Sequence, residues 1–340
     1  MGYRWEIFVV FTALAAVFMA IGCAREDGPE VVAYVSLDEL YSRPILDEFE
    51  ARTGIRVRAQ YDIEAAKTTG LVNRILAERG RPRADVFWNN EFAQTIALKK
   101  AGVLEAYDSP SRGAIPDGFK DSDMYWTGFA ARARVIIYNT ELVSEPPGSI
   151  RDLLRAEWKG RAAIANPLFG TTATHAAALF AVWGDEDARA FFTGLRANGI
   201  AVLPGNATVR DLVARGEYAL GLTDTDDANG GVLDGFPVGR VLPAQEGGGL
   251  GTLLLPNTVA LVRGGPNPEA GRRLIDYLLG PEVELALASS RSIQIPLNPA
   301  VEAPESVPEL AKIRTMNVDF DSISEQMSST AVFIREEFLR

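Results

Sequence analysis

Three carboxylates fall within four positions at Asp224, Asp226 and Asp227, inside the segment Thr223-Asp224-Thr225-Asp226-Asp227-Ala228-Asn229. The segment follows an apolar run, residues 218–222, that reads as a strand. Carboxylates this close repel one another. Where a buried strand opens into a cleft, the repulsion calls for a cation or hydrogen-bond donors to offset it; on a wet loop, water does so. The expected chemistry is recognition of positive charge, with a solvated acidic turn as the alternative. An EF-hand loop is excluded, because Ala228 interrupts the spacing and Gly235 stands where a bidentate Glu is required.

A second candidate is Gly170-Thr171-Thr172-Ala173-Thr174, where glycine, hydroxyls and a helix start coincide. Backbone donors at a helix N-terminus suit an anion, although threonine is also an ordinary cap. Arg132 and Arg134 lie two apart, on one face of a strand, and read as partners of the cleft acids. Residues 247–251 are glycine-rich but open onto no helix and lack a following Lys-Ser or Lys-Thr. They suit a hinge or crossover, not a phosphate loop. The acids have no convincing nucleophile and base beside them: the chain has one cysteine, Cys23, one histidine, His175, and no Gly-x-Ser-x-Gly. His175 reads as a packed or surface residue.

The elements that must position these residues alternate. Strands are expected at 31–35, 55–61 and 84–88, with helices at 43–52, 64–79 and 91–100. A long β segment over 126–139 leads to a second block: helix 149–158, strand 161–165, helices 171–183 and 185–198, strand 200–203 and helix 207–215. Strands at 252–255 and 257–262 and helices at 268–279, 281–289 and 322–338 complete the chain. The alternation predicts an α/β fold with mostly parallel sheets and helices on both faces. Ligands of such sheets sit at the carboxyl ends of the strands, which brings in Asp38, Asn90 and Glu91; Asp38 and Asn90 are equally suited to capping a helix.

At the N-terminus an apolar run over 7–22, broken by Thr12, stops at Cys23. It is short for a membrane span, which needs about 20 residues, and has the length of a signal-peptide core. Ala20-Ile21-Gly22-Cys23 resembles the cleavage site of a lipoprotein signal, with residues 1–22 removed and Cys23 lipidated. A single cysteine excludes an internal disulfide. The formal net charge of -11 argues against a nucleic-acid partner.

These features together resemble a family. The signal, the strand-helix opening, Ala84-Asp85-Val86-Phe87-Trp88, the run from Arg132 through Tyr138-Asn139-Thr140, and Ile295-Pro296-Leu297-Asn298-Pro299 are similar to the type 2 solute-binding proteins of ABC importers, in particular the ferric-iron group. The resemblance implies a two-lobed type 2 periplasmic binding protein fold, each lobe a mixed, mostly parallel sheet flanked by helices, with the ligand cleft between lobes. Lobe 1 would take residues 24–132 and 250–300, and lobe 2 residues 133–249 and 301–340. It implies a non-enzymatic monomer without cofactor, anchored through Cys23 at the periplasmic or cell-surface face, that closes on its ligand and delivers it to a permease and its ATPase.

In the ferric-iron group the metal is held by a His or acid after the first strand, an acid after the third, and two adjacent tyrosines in the second lobe. On this sequence those positions fall at Asp38, at Asn90 or Glu91, and at Asp226-Asp227. Phenolates are missing, so ferric specificity does not transfer. The group's partner anion points to Gly170, Thr171, Thr172 and Asn206, helped by Lys67 or an arginine. Two ligand kinds follow. One is a hard metal ion with a bridging anion, on Asp38, Glu91, Asp226 and Asp227. The other is a zwitterion such as an aminophosphonate, or a thiamine-like cation, with its positive end on Asp226 and Asp227. A hydrolase or a surface sensor on a similar scaffold is the alternative of another class.

Overall fold

The computed structural model describes residues 28–62 and 69–340; Cys23, the leader and Lys67 lie outside them. The first half of the chain builds β1 (Glu30–Val35), α1 (Glu39–Thr53), β2 (Arg56–Tyr61), α2 (Thr69–Ala77), β3 (Val86–Asn89), α3 (Ala93–Lys100) and the two-residue β4 (Leu104–Glu105). β2, β1 and β3 run parallel. α1 ends at Gly54, whose left-handed φ of 69° lets its N–H close onto the Glu50 carbonyl.

β5 (Thr127–Asn139) is the strand the molecule turns on. At 13 residues it is roughly 40 Å long, enough to serve two sheets in succession. Its first half, through Ala133, pairs antiparallel with β10 (Leu254–Val262), which continues the first sheet beside β3. From Arg134 onward it pairs antiparallel with β8 (Leu220–Asp224) and β9 (Val238–Val241). β6 (Ala162–Ala165) and β7 (Ala201–Leu203) extend this second sheet parallel to β8. The second sheet carries α4 (Gly170–Ala197), α5 (Asn206–Ala214) and α6 (Thr225–Leu233). α7 (Pro268–Leu278) and α8 (Pro281–Ser289) return to the first lobe, where α7 packs on β10 and β1. The result is a two-lobed α/β molecule.

α9 (Phe320–Phe333) leans on both lobes. Phe320 stacks on Phe92, which precedes α3, ring centroids 3.7 Å apart, while Phe333 meets Phe180 and Phe192 of α4. The rings belong to one apolar cluster that passes from lobe to lobe behind the cleft.

Several elements depart from the sequence expectation. The 149–158 segment forms two 3-10 turns, Ile150–Leu154 and Ala156–Trp158, the first closed by a reciprocal Ser149–Asp152 capping box. The two helices expected between 171 and 198 run on as α4, with one kink where Gly184 takes φ 78°, ψ 173°. The strands at 252–255 and 257–262 are one strand with a bulge between Pro256 and Asn257. α6 and β9 were not expected. Gly230 and Gly231 weaken any helix signal. In the fold they give room: a Cβ on Gly231 would lie 3.0 Å from Val238 of β9 and 3.4 Å from Arg210 of α5.

Candidate ligand-binding cleft

The carboxyl ends of β1, β3, β6, β7 and β8 converge where β5 passes between the sheets, around a cavity of about 60 Å³. Lobe 1 contributes Asp38 and Asn90. Lobe 2 contributes the first turns of α4, α5 and α6.

Asp224 closes β8 and is 1% exposed. Its carboxylate accepts from Arg134 Nη1 at 2.6 Å, Thr171 Oγ1 at 2.7 Å and Asn206 Nδ2 at 3.1 Å, with Arg132 Nη1 at 3.5 Å. Burial pushes its pKa up, but the Arg134 and Arg132 guanidiniums outweigh burial and hold it below the usual carboxylate range. The arginines therefore pair with the cleft acids. Arg134 Nε and Nη2 and Arg132 Nε have no hydrogen-bond partner in the protein among the described residues.

Asp226 and Asp227 open α6, where the helix dipole favours negative charge. Asp226 Oδ1 accepts the Asp227 N–H, and Arg132 Nη1 stands 3.7 Å from its other oxygen. Asp227 accepts from Thr223 Oγ1 at 3.2 Å and faces Arg210 Nη1 at 3.9 Å. Oxygens of Asp224, Asp226 and Asp227 lie within 4.8 Å of one another.

The other lobe 2 wall is made of amides. α4 begins after Phe169 and α5 after Gly205, and neither N-cap residue supplies a side-chain acceptor. Gly170, Thr171, Thr172 and Asn206 line the cavity at these two starts. The Thr171 and Thr172 hydroxyls turn to Asp224 and, at 3.3 Å, to Asn206 Oδ1, so neither caps its own helix. Helix starts without a side-chain cap, Arg132 and the three carboxylates thus share the wall of one small cavity, with Asp224 bonded to the residues at both helix starts.

Nine of the ten sequence candidates line the cavity together; Glu91 does not. It is fully buried and accepts from the N–H groups of Ala93 and Gln94 at 2.6 and 2.9 Å, Asn89 Nδ2 at 3.0 Å and Thr174 Oγ1 at 2.9 Å. Burial raises its pKa against these donors. The expected metal set thus loses Glu91, which caps α3. Asn90 takes its place at the cleft, its carbonyl accepting from Arg132 Nη2. His175 is a buried residue, and burial, reinforced by Arg134, lowers its pKa to about 3.

Sequence reasoning missed Tyr41 and Arg210. Burial and then the charges of Asp226, Asp227 and Asp38 push the Tyr41 phenol up to about 12, although Tyr41 does not itself line the cavity. The signal was available, since Tyr41 follows Asp38 by three positions at the start of α1. Arg210 reaches Asp227 from α5, a meeting that α6 creates and no local pattern announces.

Comparisons with known proteins agree with this architecture. The family model for bacterial extracellular solute-binding proteins matches residues 45–315. Iron uptake protein A1 of Synechocystis is 26% identical over 316 residues, covering 89% of this chain and 84% of that protein. A periplasmic protein of Salmonella typhimurium, named for a proposed role in binding 2-aminoethylphosphonate, is 28% identical over 284 residues, 80% of each chain. The crystal structure of iron-bound HitA from Pseudomonas aeruginosa shares the fold at a TM-score of 0.81 and 21% identity, covering 90% of this chain and 99% of that one. The family matched is one of solute-binding proteins, so the hydrolase alternative falls: the molecule binds a solute and is no enzyme. With the match spanning most of its length, the chain belongs to the bacterial extracellular solute-binding protein family.

Proposed function

We propose that the protein captures a small zwitterion outside the cytoplasm and hands it to the permease of an ABC importer. The anionic group would sit on the first turns of α4 and α5 beside Arg132, and the ammonium on Asp38, Asp226 and Asp227. The observation that carries this reading is that one cavity is lined both by two helix starts without a side-chain cap, which suit an anion, and by clustered carboxylates, which suit a cation. The relative named for 2-aminoethylphosphonate supplies a ligand of that chemistry. A cavity of about 60 Å³ holds only a small solute, and entry requires the lobes to part about β5 and β10. We place the division between lobes at residues 132 and 133. A lipid anchor on Cys23 and a monomeric state belong to the same proposal.

A hard metal ion with a bridging anion is the second reading, favoured by the three mutually close carboxylates and by the relative named for iron uptake. Its weakness is electrostatic. Asp224 is already paired with Arg134, and Arg132 stands beside both Asp224 and Asp226, so a multivalent cation there would face two guanidiniums.

Calorimetry decides between them. Titration of 2-aminoethylphosphonate should give saturable heat that ferric ion with phosphate does not. Saturable binding of the metal and none of the zwitterion would reverse the assignment.

A further inference from the structure

Glu91 caps α3 with two of its four side-chain bonds, and one of the other two leaves its lobe. Oε1 and Oε2 take the Gln94 and Ala93 amides, and Asn89 Nδ2 adds a third donor from the same lobe. The fourth donor, Thr174 Oγ1 at 2.9 Å, comes from α4 in the other lobe. Both residues are fully buried. The Glu91 carbonyl also accepts from Thr258 Oγ1 of β10 at 3.1 Å, so the lobe 1 end is fixed from several sides.

Thr174 lies three positions after Thr171, hence one turn below it on the same side of α4. Thr171 in turn donates to Asp224. Thr174 therefore ties the first turns of α4 to lobe 1. A hydroxyl-to-carboxylate bond is charge-assisted, stronger than a neutral one, and buried here away from competing water.

We propose that Glu91 and Thr174 form an interlobe fastening that sets the position of the first turn of α4 against Asp38 and Asn90. Both are positioning residues; neither touches the ligand. With the fastening intact the lobe 2 wall of the cavity stands at a fixed distance from Asp38 and Asn90 of lobe 1. Without it the lobes sample a wider opening and the solute leaves sooner.

The test uses the chain with Cys23→Ser, which removes its single cysteine, and spin labels on cysteines introduced at the exposed Asp47 and Glu217, one in each lobe. In ligand-free protein Thr174→Val, nearly isosteric, should broaden or lengthen the interlobe distance distribution; Thr174→Ser, which keeps the hydroxyl, should restore it. Release of 2-aminoethylphosphonate should be about tenfold faster in Thr174→Val at a near-unchanged association rate, the loss expected for one charge-assisted bond. Glu91→Gln should fall between. Wild-type distances and release in Thr174→Val would overturn the fastening. The release arm rests on the zwitterion reading, whereas the distance arm needs no ligand. Absence of binding by the wild type would therefore count against that reading alone.

Discussion

The turn from β3 into α3 and the turn from β6 into α4 are built alike: a parallel strand ends, a short loop crosses the mouth of the cleft, and a helix begins behind a phenylalanine, Phe92 or Phe169. They differ in one respect. Lobe 1 supplies its own anion, Glu91, to the first amides of α3, and lobe 2 supplies none to α4. A helix start is an anion site only where its own sequence withholds the anion. Lobe 2 keeps Asp224 close by but turns it toward Arg134, Thr171 and Asn206, so it braces the open turn without filling it.

That contrast can be broken most severely at the brace. Arg134→Ala would leave Asp224 buried without its main partner and should cost about 3–5 kcal/mol of unfolding free energy, read by urea denaturation. A loss below 1 kcal/mol, with roughly that scale in mind, would mean Asp224 is not held as described. Beside the brace, Asp226→Ala should weaken 2-aminoethylphosphonate about a hundredfold by calorimetry while the protein stays folded, since it removes one charge from a desolvated pair.

The α4 side also has a pH signature. His175 stays neutral in the fold because its pKa is lowered to about 3, whereas in the unfolded chain it protonates near its ordinary value. The unfolded state thus binds more protons as pH falls below about 6.5, and stability drops with it, levelling off only near the folded value. Between pH 7.5 and 5 the His175 contribution should be a loss of about 2 kcal/mol, missing from the His175→Asn variant in parallel denaturation curves.

Smaller in effect but closest to the contrast is Phe169→Asp, which gives α4 the capping carboxylate that Glu91 gives α3. The helix should lose no stability at its start and the anionic end of the ligand should bind about tenfold more weakly. Unchanged affinity would show that the bare amides of α4 are not where the anion sits. Smallest of all, Arg43→Ala breaks an exposed pair with Glu39 just beyond Asp38 and should change stability by less than about 0.5 kcal/mol.

Much of the frame was legible in the chain. Apolar strands bounded by capping and glycine signals marked the alternation from β1 to α3, because short-range periodicity reports which face is buried. The bulged β10, the 3-10 turns after Ser149 and the glycine-bearing α6 were not legible as such. In each, packing against another element decides the backbone, and α6 in particular exists where Gly231 admits Val238 and Arg210.

For the site, the sequence by itself determined that carboxylates crowd the end of one strand and that a threonine-rich helix start accompanies them. It also determined that no phenolate stands at Asp226 and Asp227. Only the tertiary structure sorted the acids by role. Asp224 became an internal brace because Arg134, 90 positions earlier, crosses onto it from β5. Glu91 became a cap and a link to Thr174 because the cleft closes behind it, not over it. Asp38, Asp226 and Asp227 line the same cavity as Asp224 without its bond to Arg134. Local pattern fixes where a charge lies along the chain; its partner, and so its work, depends on contacts between residues far apart in sequence.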